Sequence, residues 1–574
     1  MATSNAATRY PWLSHYEPGV PSSISYPATT LDSLLDTTVQ RFPDRTATVF
    51  FGGRLSFREL IDQVNRFAAA LRGLGVKKGD RVAIFLPNCP QFVIAFYGAL
   101  RLGAVVVPTN PLYVERELEH QMKDSGAETI VTLSAFYKLV EQVRPRTALK
   151  RVIVCNIKEY FSPVLRVLFT LAKEKKEGHR VDLPEGNGVY RFRSLLDSAQ
   201  REPMASAAVG DDLALLQYTG GTTGLSKGAM LTHRNLVSNT MQLRHWIPSA
   251  TEGKETMFSV MPFFHVYGLT VCMSYSIYLG ATMILLPRFE LESVLKALDK
   301  HKPTFFPGVP TMYVAINGHP QVRRYDLRSI RYCISGAAPL PVEVQTRFEE
   351  LTGGRLVEGY GLTEAAPVTH CNPMDGLRKP GSIGVPFPDV QARIVDTASG
   401  ETELPAGEIG ELVLQGPQVM QGYWQQPSET QDVLRDGWLH TGDIARMDED
   451  GYFYIVDRKK DIIIAGGYNI YPRDVEEVLF QHPKVLEAVV VGVPDEYRGE
   501  TVKAYVVLKP GESASEVELI AYCQEKVARY KVPTTVEFRD SLPKTLVGKY
   551  LRRALREEEL SRRAATSGTN PESR

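Results

Sequence analysis

Neither sign of charge predominates in this 574-residue chain: Lys+Arg and Asp+Glu number 66 each. Proteins that grip nucleic acid carry a basic excess or a basic face, so the balance excludes nucleic acid as the main partner. Cysteine is sparse. Cys89, Cys155, Cys272, Cys333, Cys371 and Cys523 are scattered with no C-x-x-C pair, which argues against a disulfide framework and for reduced thiols in a cytosolic protein. No HExxH or Cys/His cluster marks a zinc site. Long apolar runs are missing too. The richest stretch, Val93 to Val107, is broken by Arg101 and is too short to span a bilayer. Met1 to Pro21 lacks a basic segment followed by an apolar core, so no secretory leader is expected. These absences suggest a soluble, cytoplasmic protein.

With 43% apolar residues the chain can bury a substantial core, and its length suits one large multilobed unit plus a smaller one. Ser56-Phe57-Arg58-Glu59 has the spacing of a capping box. Leu60, Val64, Phe67, Ala68 and Leu71 follow at helical period, with Gly73 or Gly75 as the stop. Arg81–Leu86 reads as a strand, Gln91–Leu102 as a helix and Ala104–Val107 as a buried strand. A helix near Glu115–Lys123 then leads to the strand Thr129–Leu133. Such alternation predicts an α/β fold, a largely parallel sheet flanked by helices. Near the C-terminus Val485–Val491 and Val502–Leu508 read as strands, Ser515 opens a second capping box with Glu518, and Thr534–Phe538 is a third strand. This β-β-α-β pattern predicts a small α+β domain. The charged stretch Asp457–Asp461 precedes it, so the expected domains are 1–459 and 460–560, followed by a disordered tail, 561–574.

The most informative stretch is Tyr218 to Gly228, where four glycines, three threonines and one lysine follow the apolar run Leu213–Leu216. Glycines let backbone N–H groups approach an anion, and hydroxyls and a lysine add donors and charge, so the suited cargo is a polyphosphate. It is not a Walker A loop, because Ser226 precedes Lys227 and Gly228 follows it. Four further stretches share the theme: Ser335-Gly336-Ala337-Ala338-Pro339, Glu358-Gly359-Tyr360-Gly361-Leu362-Thr363-Glu364, Gly437 to Asp443, and Pro543 to Lys549.

In this order, from about Leu31 to Arg553, the set resembles the adenylate-forming superfamily of acyl-CoA synthetases, luciferases and peptide-synthetase adenylation domains, and within it bacterial long-chain fatty-acid–CoA ligases. The resemblance implies a large N-terminal domain with flanked sheets and a small mobile C-terminal domain. Thr219, Gly220, Gly221, Thr222, Thr223, Gly224 and Lys227 would form the phosphate loop, with Thr222 and Glu364 toward Mg²⁺. Tyr360 would stack on adenine, with Gly336, Ala337 and Ala338 lining its other side and Glu358, Gly359 and Gly361 in the same motif. Thr363 would contact the α-phosphate. Asp443 and Arg458 would hold the ribose hydroxyls, Lys549 would bridge the acyl carboxylate and α-phosphate, and His265 would sit where acyl and CoA tunnels meet. Lys460 matches the hinge. Gly221 and Ser226 depart from the serine and proline that many members carry. Outside this company Tyr360 and His265 would be ordinary part-buried aromatics, and Glu364, Lys460 and Lys549 ordinary solvated charges.

The implied activity is ATP-dependent ligation of a fatty acid to CoA through an acyl-adenylate, with release of AMP and pyrophosphate. Val266–Leu279 and Gly308 are apolar or small and carry no cation for a second carboxylate, which favours a long acyl chain. Medium-chain or aryl acids, or loading of a carrier protein, remain alternatives. The implied partners are fatty acid, ATP and CoA, with a homodimer left open. Tyr160–Ala172 is a short apolar run ahead of Lys173, Lys175, Lys176 and Arg180; it reads either as a helix lying on a membrane surface or as one packed on its own protein.

Overall fold

The computed structural model describes residues 10–184, 186–219, 226–465, 468–495, 497–545 and 549–567. They divide into two compact units. The first runs up to Gln391 and includes Gln415–Leu439; the second comprises Ala392–Leu414 and the chain from His440 onward.

The first unit is built on an eight-stranded sheet. Across it lie Gly422–Tyr423, Gly228–Thr232, Leu213–Tyr218, Val105–Pro108, Arg81–Phe85, Thr129–Leu133, Arg151–Cys155 and Val189–Arg191. From Leu213–Tyr218 to Val189–Arg191 every pairing is parallel, and the first two strands add antiparallel at one edge. Parallel strands covered on both faces read as apolar runs: Val82 through Phe85, Val106, Val107, Ile130 and Val131 are all fully buried. The expected capping box forms. Ser56 Oγ accepts from the Glu59 N–H at 3.2 Å, and Glu59 Oε2 accepts from the Ser56 N–H at 2.7 Å. Arg101, the charge that interrupts the apolar run, is buried rather than solvated. Its guanidinium donates to Asn65 Oδ1 and Asp36 Oδ2, both at 2.7 Å, and lies 3.4 Å from Asp32 Oδ2. Two smaller sheets complete the unit and are joined through Phe305, which bridges to Met257 and Tyr332.

In the second unit the hairpin Val485–Asp495/Gly499–Leu508 is followed by the helix Glu516–Gln524 and by Thr535–Phe538, which pairs parallel to Gly499–Leu508. That is the β-β-α-β order expected. Period-two alternation gives this sheet two apolar faces. Ala488, Val490, Val502, Ala504 and Val506 pack with Val475, Leu479 and Leu519, whereas Val489, Val491, Val493 and Tyr505 pack with Leu542 and Leu555. Ser515 makes half of its capping box. It accepts from the Glu518 N–H at 3.1 Å, but the Glu518 carboxylate takes Lys484 instead, at 2.8 Å. Residues 440–459 cluster with this unit because Trp438–Met447 pairs with Phe453–Arg458.

Residues 561–567 continue the helix Arg552–Ser567, where a disordered tail is expected. The reason lies in spacing: Arg562 reaches Glu558 and Arg563 reaches Glu559, four residues back, at 2.5 and 3.0 Å, and such pairs support a helix. All six cysteines are free and buried. Among the described residues no helix is long and apolar enough to cross a membrane.

Candidate active site

The glycine- and threonine-rich stretch is flanked by an antiparallel pair of strands. Tyr218 lies opposite Gly228 in the antiparallel ladder, and the Thr219 N–H donates to the Lys227 carbonyl at 2.9 Å. The chain therefore leaves and re-enters the sheet through one closed neck. Gly220, Gly221, Thr222, Thr223 and Gly224 lie outside the described residues. Beside the hairpin, the Trp424 N–H donates to the Gly228 carbonyl at 2.8 Å. That pairing sets Tyr423 between two groups singled out from sequence. Its hydroxyl donates to Glu364 Oε1 at 2.6 Å, and the Lys227 ammonium lies 5.3 Å from its ring centroid. Lys227 is ion-paired with Glu429, in the first turn of the helix Pro427–Val433.

The strand Arg355–Gly361 delivers the second motif, and Thr363 and Glu364 form the one-turn helix behind it. Gly361 has no room for a side chain, since a Cβ there would stand 2.1 Å from the Pro367 carbonyl oxygen. Tyr360 is half-buried with its ring edge-on to His370, centroids 5.9 Å apart. Burial pulls the His370 imidazole down to about 3, so this neighbour is neutral. Glu358 is buried and accepts from the Leu340 N–H at 3.3 Å. Gly336 and Ala338 follow the strand Tyr332–Ser335, with Ala337 between them at φ +68. A left-handed backbone at a residue with a Cβ is a strained conformation of the kind that clusters at functional sites. The ring of Tyr267 covers Gly336: a Cβ added there would meet it at 3.6 Å.

His265 is tied to the same sheet end. Gln217, one residue before Tyr218, donates to the Phe264 carbonyl at 2.9 Å, and Asn88 donates to the Met261 carbonyl at 2.8 Å while accepting the Phe263 N–H at 2.7 Å. His265 Nδ1 accepts from the Tyr267 N–H at 3.2 Å. The apolar segment after it, Gly268–Ser274, forms a fully buried π-helix, a widening of the helix that recurs at functional sites.

The second unit gathers the remaining candidates. Asp443 and Arg458 are register partners on adjacent strands, with Arg458 Nε 3.3 Å from Asp443 Oδ1. The preceding turn is fixed by Thr441, which donates to the Leu412 carbonyl at 2.7 Å and accepts the Asp443 N–H at 3.1 Å. Lys549 closes its own turn: the Thr545 N–H donates to the Lys549 carbonyl at 2.8 Å. Burial draws the Lys549 ammonium down to about 7 from an ordinary 10.5, with Arg458 and Lys460 adding repulsion against Asp443 and Asp461. Lys460 is exposed, in the turn between Phe453–Arg458 and Ile463–Ala465.

Sequence reasoning missed Tyr423, Glu429, Gln217 and Tyr267. It also missed Glu411, which accepts the Gly442 N–H and Lys459 Nζ, both at 3.1 Å. Tyr423 and Glu429 lie some two hundred residues from the lysine they serve, and no local spacing announces such partners. For the metal, the described residues offer no cluster of three His, Cys, Asp or Glu. A single carboxylate, Glu364, suits Mg²⁺, which binds through one or two carboxylates together with substrate phosphates.

In the first unit an aromatic lies half-buried beside a strained turn, and in the second an acid–arginine pair lies near a part-buried lysine. The family is settled by comparison: residues 35–424 match the AMP-binding enzyme family and residues 474–549 the AMP-binding enzyme C-terminal domain, and the chain belongs to that family. It is 50% identical over 551 residues to the long-chain-fatty-acid–CoA ligase of Bacillus subtilis, covering 96% of this chain and 98% of that one. It is 42% identical to the corresponding Escherichia coli O6:H1 ligase (95% and 98% covered) and 38% identical to a feruloyl-CoA synthase from Amycolatopsis (90% and 96%). Among solved structures it resembles an anthranilate CoA ligase in complex with anthranoyl-AMP, at TM-score 0.83 and 27% identity over 94% of this chain and 98% of that one. ATP-bound MatB from Rhodopseudomonas palustris matches at TM-score 0.81 and 30% identity, over 92% and 99%.

Proposed function

We propose that the protein joins a long-chain fatty acid to coenzyme A in two steps. A carboxylate oxygen attacks the α-phosphorus of ATP, the bond to the β-phosphate breaks, and pyrophosphate leaves. The CoA sulfur, having lost its proton, then attacks the carbonyl carbon of the acyl-adenylate, and AMP departs with the C–O electron pair. Membership of the family and full-length likeness to two long-chain ligases support this overall reaction.

The observation that carries the site assignment is Lys549, a cation drawn down toward neutrality beside the Asp443–Arg458 pair. Its environment favours an incoming anion, and the acyl carboxylate with the α-phosphate would supply one. Lys549 would thereby offset the charge that develops as two anions meet. Asp443 and Arg458 would take the ribose hydroxyls, Tyr360 the adenine face, and Thr363 the α-phosphate. Thr219, the loop 220–224 and Lys227 would hold the outer phosphates, and Glu364 with Thr222 would hold Mg²⁺, which when bound neutralises phosphate oxygens. His265 would stand at the meeting of acyl and thiol. Turning of the 460–560 domain about Lys460 would withdraw Lys549 before the thiol attacks.

The feruloyl-CoA synthase relative favours a second reading, an aryl acid, at lower identity. Pyrophosphate release from a panel of acids, with and without CoA, separates them. Turnover that peaks on long fatty acids and needs CoA for thioester release is expected; a peak on cinnamates, or transfer to a carrier protein in place of CoA, refutes the assignment.

A further inference from the structure

The helix Pro163–Ala172 is inverted relative to a core helix. Of its ten residues only Phe169 is buried. Val164 is 70% exposed, Leu165 40%, Val167 58%, Leu168 55% and Leu171 80%. At 100° per residue these five side chains cover an arc of about 160° of the helix surface. The polar residues lie on the other side and serve the protein: Thr170 accepts from Lys158 Nζ at 2.9 Å, and Arg166 donates to the Glu159 carbonyl at 3.2 Å. Phe51, 47% exposed, extends the apolar surface through its contact with Phe161, centroids 4.7 Å apart. Phe161 and Phe169 point inward, 5.3 Å apart, and pin the helix down. A contiguous apolar face of this kind, held outward by buried anchors, marks an interaction surface.

We infer that this face, Phe51 with Val164, Leu165, Val167, Leu168 and Leu171, docks the protein on an anionic lipid bilayer. Charge decides among occupants. The chain leaves the helix through Lys173, Lys175, Lys176 and Arg180, all exposed, and the last three make no ion pair among the described residues. An apolar face with a cationic rim is the pattern of an interfacial helix on anionic lipid. A second copy of the chain, packed on this face about a two-fold axis, would bring two such rims toward each other. Ten residues span about 15 Å, half of the hydrocarbon thickness, so the helix lies along the surface. The inference stands on the surface itself and is independent of which acid the enzyme activates.

The test is sedimentation of the full chain with phosphatidylglycerol/phosphatidylcholine vesicles and with pure phosphatidylcholine vesicles, at about 50 mM and about 500 mM salt. Binding to the anionic vesicles is expected, weaker at high salt and weaker on the neutral ones. Val164→Ser/Leu168→Ser/Leu171→Ser should lower the partition constant at least about tenfold, with thermal melting and turnover of a water-soluble acid unchanged, because all three side chains are exposed. Lys175→Gln/Lys176→Gln/Arg180→Gln should abolish the salt dependence while leaving residual apolar binding. No binding of the wild type to anionic vesicles at low salt overturns the inference, as does equal binding by the serine variant. A wild-type dimer in solution that the serine variant converts to monomer assigns the face to self-association and overturns it equally.

Discussion

Lys549 makes the folded protein less stable than it would be without it. Its ammonium titrates near 7 in the folded chain, against 10.5 for an ordinary lysine, because burial penalises its charged form. Between those two values the unfolded chain binds a proton that the folded chain does not. Stability therefore rises with pH across that window; the penalty is complete below 7 and gone above 10.5. At about 1.36 kcal/mol per unit the whole shift is worth 4–5 kcal/mol, and solvent reaching the part-exposed residue reduces this to about 2 kcal/mol. Lys549→Met keeps the stem and removes the charge. It should stabilise the ligand-free enzyme by about 2 kcal/mol at pH 7 and by roughly a third of that near pH 9.5. Urea unfolding of the full chain by circular dichroism, wild type against variant at both pH values, reads the difference. The same variant should lose adenylation by about 10²–10³-fold, as one charge-stabilising donor is removed, while thioester formation from supplied acyl-adenylate is nearly spared. A variant no more stable than wild type at pH 7, or one whose advantage persists unchanged at high pH, refutes the reasoning.

Three further outcomes are expected. Tyr423→Phe deletes the donor to Glu364, a loss of about 1–1.5 kcal/mol, and should raise the Mg²⁺ needed for half-maximal pyrophosphate exchange about five- to tenfold; an unchanged Mg²⁺ titration would show that the hydroxyl does not matter there. Lys460→Pro fixes φ and should preserve ATP–pyrophosphate exchange while slowing transfer to CoA, so normal overall turnover would place the hinge elsewhere. Arg101→Ala leaves Asp32 buried without its cation and should cost about 3–5 kcal/mol by thermal or urea unfolding; a loss under 1 kcal/mol would mean that water or Asn65 replaces the guanidinium.

Several elements of the first unit were legible because each carries its own local signal. The box at Ser56, the helical period from Leu60 to Leu71 and the β-branched runs at Val105 and Thr129 each predict an element that the structure contains. The β-β-α-β order of the second unit was legible for the same reason. What failed was whatever depends on distant partners. Arg101 reads as an interruption because Asp32, Asp36 and Asn65, which bury it, lie more than thirty residues away. Glu518 fits a capping box by spacing, yet Lys484 competes for its carboxylate and wins. The segment after Tyr160 offered two readings, and the structure divides it residue by residue, with Phe161 and Phe169 turned inward and Val164, Leu168 and Leu171 outward. Among site residues, sequence found those inside motifs and missed those that hold them. Tyr423 and Glu429 belong to no motif that spacing reveals, yet both contact groups that do.

Those missed residues show how the charges of the candidate residues are paired within each unit. Lys227 is held by Glu429, Glu364 by the Tyr423 hydroxyl, and Asp443 by Arg458. Each pairing spares a part-buried charge the cost of standing alone, and under the proposed function the Lys227–Glu429 pair would be exchanged for phosphate. Such an exchange would select for its ligand. A monoanion such as a lone carboxylate offers Lys227 no more than Glu429 already does, and it pays an association entropy that Glu429 does not. A polyphosphate presents several charged oxygens to one cation at once, so it would displace Glu429 where a small anion would not. For Lys549 the described residues offer no ion pair of comparable strength: burial, with Arg458 and Lys460 nearby, lowers its affinity for a proton, and Asp443 is shared with Arg458. An anion that paired with Lys549 would raise that affinity again, so uptake of the ligand and of a proton would be linked there.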